Sequence, residues 1–288
     1  MPLIHLPDRG IVKVSGDDAR SFLNGLVTCD MAKVSPQQAG FGALLSPQGK
    51  ILFDFLIAEA EAEDGGGFFL DCPRALAPDL AQRLAMYKLR AAVTIQDLSD
   101  ALGIGVAEDA ASIDPLDWLM FADPRLPALG LRLIGERAGL QALGGDPEGY
   151  HSRRIALAVP EGGKDFAYND AYPHETLMDQ LHGVDFRKGC YIGQEVVSRM
   201  EHRGTARTRI VPVAYEGGFS AIEGIDVMAG DKIIGRTGSQ SQGTGLAMLR
   251  LDRLADALGT GLGVTAGGIG LSASKPPYAS FDLPGVDA

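Results

Sequence analysis

The segment KGCYIGQE, Lys188 to Glu195, concentrates more chemistry than any other stretch of the chain. A cysteine stands between glycine and tyrosine, a lysine precedes it by two residues, and a glutamine–glutamate pair follows. Gly193 can open a helix on which Val196, Val197 and Met200 share one side, which places Cys190 just before a helix N-terminus. There the unbonded N–H groups and the positive end of the dipole favour an anion, and Lys188 adds positive charge, so thiolate gains over thiol. Gly189 and Gly193 allow a ligand to approach the backbone, and Gln194 and Glu195 put hydrogen-bonding groups in the first helical turn. The same pattern suits two other readings: a small buried cysteine ahead of a helix, or a backbone N–H site for a carboxylate or a ring amide.

Other reactive types are sparse. The remaining cysteines, Cys29 and Cys72, are widely separated and form no Cys-x-x-Cys motif, which argues against a disulfide framework, a structural zinc site or a resident iron–sulfur cluster of standard spacing. A working cysteine would work alone. His174 and His182 lack close ligand spacing with another donor and read as ordinary surface or core histidines, so no metal is expected. Trp118 and the scattered tyrosines read as core. Asp54 lies among apolar residues of a strand and reads as a buried, hydrogen-bonded carboxylate. Residues 186–209 hold Arg187, Lys188, Arg199, Arg203, Arg207 and Arg209 against Glu195 and Glu201, a basic stretch in a chain of net charge −11. Overall acidity opposes binding to nucleic-acid phosphates, while the basic stretch suits a solvated helix face or a small anionic ligand.

These residues need a scaffold, and 288 residues with 45% hydrophobic side chains can build two or three packed lobes. Ile11, Val12 and Val14 begin a strand that turns at Ser15-Gly16 into a helix carrying Phe22, Leu23, Leu26 and Val27. FGALLS and KILFDFLIAEA flank Ser46-Pro47-Gln48-Gly49, which predicts a hairpin with Ile51, Phe53, Phe55 and Ile57 on one face. FFLDC predicts another strand, 75–90 a helix, AVTIQDL and LGIGVAE further strands, WLMF and LRLI short strands, and 148–158 a helix. Residues 162–176 read as an extended loop. From Gly204 to Gly270 lie fifteen of the 38 glycines, nearly twice an even share, between short strand-like runs; this predicts a small antiparallel β domain, barrel-like, beginning near residue 205. No run approaches the roughly 18 to 20 apolar residues of a membrane span, and MPLIHLPDRG lacks the features of a signal or transit segment. A cytoplasmic protein with neither membrane nor nucleic-acid partner is expected.

FRKGCYIGQEVVSRMEHRG resembles the signature of the YgfZ/GcvT folate-binding family, in its YgfZ-like branch. VSGDDARSFLNGLVTCD, SPQGKILFDFLI, YKLRAAVTIQD and RIALAVPEGGKDF resemble the family's blocks in order, and GDKIIGRTGS with GLAMLRL resembles its C-terminal barrel. The resemblance implies an α+β, three-lobed fold around a central folate channel: residues 1–204 as two interwoven α+β lobes, and 205–288 as the antiparallel β-barrel. It implies that Lys188 and Cys190 are the functional pair, and that tetrahydrofolate or a one-carbon derivative is the ligand. Gly189, Tyr191, Gln194, Glu195 and Arg199, together with Asp54, Arg9 and Arg154, are the candidate folate contacts. The related glycine-cleavage aminomethyltransferases carry paired aspartates where this chain has Phe53 and Asp54, which speaks against aminomethyl transfer. Arg9 and Arg154 stand where the YgfZ branch places tryptophans, and an arginine plane can also stack on an aromatic ring. The implied function is an accessory factor for assembly or repair of iron–sulfur clusters, with iron–sulfur carrier or client proteins as partners. A folate-dependent one-carbon transferase and a non-catalytic scaffold are the alternatives.

Overall fold

A computed structural model describes residues 3–61, 65–109, 118–142, 144–204 and 206–285. They form two units: one of residues 1–150 and 181–194, the other of 151–180 and 195–288. The boundary expected near residue 205 falls on Thr205, outside the described residues.

The first unit contains β1 (Ile4–Leu6), β2 (Arg9–Ser15), α1 (Ala19–Asn24), β3 (Gly40–Leu45), β4 (Ile51–Glu59), β5 (Phe68–Pro73), α2 (Ala77–Lys88), β6 (Thr94–Asp97), β7 (Leu102–Ala107), β8 (Leu119–Ala122), β9 (Leu131–Glu136) and α3 (Arg137–Ala142). One antiparallel sheet runs β3-β4-β5-β2-β6 and the other β1-β7-β9-β8. The expected β3–β4 hairpin closes with the Gly49 N–H donating to the Ser46 carbonyl at 2.8 Å. Strand alternation sends Phe53, Phe55 and Ile57 of β4, Leu70 and Cys72 of β5 and Val12 and Val14 of β2 to one face. There they pack with Leu23 of α1 and Leu80 and Leu84 of α2. The opposite face is mixed in character: Ile11 pairs with Asp71, and Leu56 pairs with the same Asp71 from the other side. Asp54 and Arg9 share that face by alternation. Trp118 packs on the small core of Leu3, Ala107, Leu133 and Leu140.

The helices α4 (Pro147–Ala156) and α5 (Gln194–Arg203) follow, and then β10 (Thr208–Tyr215), β11 (Asp226–Ala229), β12 (Lys232–Ser241), β13 (Thr244–Arg250), α6 (Leu251–Gly259), β14 (Val264–Ala266) and β15 (Ile269–Ala273). These six strands close into a barrel in the order β10-β13-β12-β11-β14-β15. Its interior holds Val211, Val213, Val227, Ala247, Leu249 and Ala266, with Leu254 of α6 packed against them. The chain is therefore a mixed α and β protein with a C-terminal closed antiparallel barrel. No helix among the described residues is long and apolar enough to cross a membrane.

Candidate functional site

The segment that leads into KGCYIGQE is zipped to the chain between α1 and β3. The Thr28 hydroxyl donates to the Gly183 carbonyl at 2.5 Å, and the Thr28 carbonyl accepts the Asp185 N–H at 2.9 Å. Asp185 then makes a side-chain turn: its Oδ1 accepts the N–H groups of Arg187 at 2.8 Å and Lys188 at 3.0 Å, and its other oxygen pairs with Lys33. Burial pushes the Asp185 carboxyl up, but the Lys33 ammonium and the two N–H groups outweigh it and hold the group below its ordinary range. Lys188 Nζ donates to the carbonyls of Asn24 at 2.8 Å, Val27 at 2.7 Å and Cys29 at 2.6 Å. Burial lowers its ammonium from the usual lysine range, opposed by the negative charge of Asp30 and Asp185. The Tyr191 ring lies beneath it, 5.5 Å from Nζ to centroid.

Beyond this anchor Gly189 and Cys190 are exposed, and Tyr191 is buried again. Burial pushes the Tyr191 phenol up to about 12, and its hydroxyl, itself buried, has no hydrogen-bond partner among the described residues. Ile192 packs against the core of the first sheet. Gly193 has φ +80°, and a Cβ there would lie 2.6 Å from the Ser46 carbonyl oxygen and 3.0 Å from Gly49 Cα, on the β3–β4 turn. Cys190 thus tops a short arc fixed at both ends, four residues before the first helical residue, Gln194. Glu195 and Arg199, both exposed on α5, pair with each other at 2.6 Å. Cys29 and Cys72 are buried, and burial pushes both thiols up to about 12. Cys190 is the exposed cysteine of the three.

The distant candidates are placed differently. Arg9, on β2, donates to Asp71 Oδ1 at 2.6 Å and to the Asp71 carbonyl at 2.7 Å. Asp71 also binds Arg132 at 3.0 Å, Arg132 reaches Asp123 at 3.3 Å, and Asp123 binds Arg125 at 2.7 Å. Both Arg125 and Arg132 donate to the Tyr150 hydroxyl. This buried ladder of three arginines and two aspartates spans the two sheets of the first unit. Burial pushes the Asp123 carboxyl up, but Arg125 and then Arg132 overcome it and hold it at about 2. Asp54 is buried and interacts within the protein. In the other unit Arg154, 1% exposed, binds Glu161 and Asp165, each at 2.8 Å, and Ser239 Oγ at 2.7 Å. His174, Asp179 and Glu201 cluster, but Arg209 Nη1 donates to both Asp179 oxygens, at 2.7 and 2.8 Å, and so already supplies a cation there.

A pocket of about 590 Å³ opens beside the zipped segments. Gln37, Gln38, Phe41, Asp123, His182, Phe186 and Arg187 are among its lining residues. Sequence reasoning found Lys188 and Cys190 but passed over Thr28, Asp185 and this pocket. The spacing Asp-x-x-Lys at 185–188 is a side-chain-turn pattern that could have revealed Asp185, whereas the partners of Lys188 are backbone carbonyls some 160 residues away and leave no trace in composition.

Residues 207–281 match the family model described as the CAF17 C-terminal beta-barrel domain. The chain is 31% identical over 277 residues to a mitochondrial iron–sulfur cluster assembly factor, IBA57, of Mus musculus, a match covering 86% of this chain and 77% of that protein. It is 31% identical over 235 residues to IBA57 of Homo sapiens (73% and 65%) and 34% identical over 229 residues to the homologue of Mycosarcoma maydis (74% and 57%). The matches thus span about three fifths of the length of these two relatives. These relatives are mitochondrial, which overturns the expectation of a cytoplasmic protein. In architecture the chain is similar to glycine cleavage system aminomethyltransferase T of Bartonella henselae, with a TM-score of 0.75 at 16% identity, covering 96% of this chain and 86% of that one.

Proposed function

The chain belongs to the family of the IBA57 iron–sulfur cluster assembly factors, and from that premise we propose that it assembles or repairs iron–sulfur clusters in client enzymes, with Cys190 as its working group. The observation that carries this reading is the exposed thiol at the top of an arc fixed at both ends, while the other two thiols are buried. A thiolate is the natural ligand of iron in such clusters, and a cluster needs several of them. Cys190 supplies one. The remaining ligands would come from a carrier or client protein, so the cluster is cargo rather than a resident group. In cells lacking the native protein, Cys190→Ser is expected to abolish rescue of cluster-dependent enzymes at unchanged protein level. Full rescue would instead favour a scaffold that works without the thiol.

Tetrahydrofolate or a one-carbon derivative, the ligand implied by resemblance, does not fit the side chains first nominated for its ring. Arg9 is held by Asp71, Arg154 by Glu161, Asp165 and Ser239, and Asp54 is buried, so these side chains already have partners or cover within the protein. The pocket beside the Cys190 segment favours folate as a second reading: Phe41 and Phe186 offer apolar surface, and Gln37 and Gln38 amide partners. Anaerobic calorimetry with tetrahydrofolate is expected to give saturable heat that Phe41→Ala weakens. Absence of heat in the parent protein would remove folate from the proposal and leave the role of Cys190 standing.

A further inference from the structure

An ammonium group has three N–H donors and no acceptor. All three donors of Lys188 have carbonyl partners, at 2.6 to 2.8 Å, and these partners are clustered: Asn24 is the last residue of α1, and Val27 and Cys29 follow it. Carbonyls at a helix end lack intrahelical donors, and a cation is the favoured group there. The last turn of α1 contains no basic residue of its own. Lys188 supplies the missing charge from across the sequence, as a charge-assisted bond in a half-buried setting.

We propose that Lys188 is a positioning residue, whose ammonium clasps the Cys190 arc to the end of α1, rather than the group that ionises the Cys190 thiol. The inference rests on the role proposed for Cys190 and adds how the thiol is held. Gly193, seated on the β3–β4 turn, is the opposite fixed point. Between them Tyr191 and Ile192 face inward, so the clasp leaves Gly189 and Cys190 as the exposed tip.

The test compares the full chain with Lys188→Met and Lys188→Arg. It reads backbone hydrogen exchange over 183–193 and 24–29, and the pH profile of Cys190 reaction with a neutral disulfide. Arginine keeps the charge but presents a planar fork, which does not bring three donors to one point as an ammonium does. In both variants exchange in these segments is expected to rise about tenfold or more, with the pH midpoint of the thiol unmoved. The proposal is overturned if Lys188→Met raises that midpoint by about one unit while the segments stay protected, or if Lys188→Arg retains both wild-type protection and the wild-type profile. The arginine variant decides by itself should the methionine variant fail to fold. Neither readout involves an iron–sulfur protein, so the clasp and the role of Cys190 can fail independently.

Discussion

At the scale of single residues, KGCYIGQE contains two side chains whose surroundings differ from what their types suggest. Lys188 reads in sequence as a positive neighbour for a thiol, and in the fold its donors are taken by carbonyls of the α1 end. Tyr191 reads as a candidate folate contact, and in the fold its hydroxyl is buried without a hydrogen-bond partner among the described residues. An unsatisfied buried hydroxyl costs about 1–3 kcal/mol, and its removal with the ring retained should recover part of that. Tyr191→Phe is therefore expected to raise thermal stability by about 1 kcal/mol. A lowered melting midpoint would mean that the hydroxyl has a partner in solution. The reason such facts escape a sequence is physical: residue type gives the donor inventory, but only the fold decides which acceptors come within 3 Å.

At the scale of elements, local patterning carried far. The β3–β4 hairpin follows from Pro47 and Gly49 in a four-residue turn, and the strand alternation of β4 follows from Ile51, Phe53, Phe55 and Ile57. The barrel follows from glycine density between short apolar runs. What local pattern could not show is that the hairpin turn is also a seat for Gly193. A Cβ at that position meets the Ser46 carbonyl at 2.6 Å with φ at +80°, so Gly193→Ala combines a clash with a disfavoured backbone. The expected cost is about 1–3 kcal/mol, read as a lower melting midpoint together with faster proteolysis between residues 188 and 194. An alanine variant as stable as the parent would show that the turn yields.

At the scale of the whole molecule, the ladder of Arg9, Asp71, Arg132, Asp123 and Arg125 is illegible in the sequence, since the two pairs that join at Asp71 link residues about 60 positions apart and single arginines look like surface cations. It sets an acid limit. The Asp123 carboxyl is held at about 2 in the fold and titrates near 3.9 when unfolded, so its stabilisation of about 2.6 kcal/mol is complete above about pH 5 and is lost as pH falls from about 5 through 2. Melting midpoints should fall over that interval, and Asp123→Asn should flatten the fall while lowering stability at neutral pH. A parent-like slope in the variant would assign the acid transition to other carboxylates. The doubly fixed arc bears on traffic between proteins. With only Gly189 and Cys190 outside, and about 3.8 Å of chain per residue, the thiol has no tether long enough to swing from one protein to another. On the role proposed for Cys190, donor and recipient of a cluster would take turns at one berth, and an excess of either should slow delivery to the other.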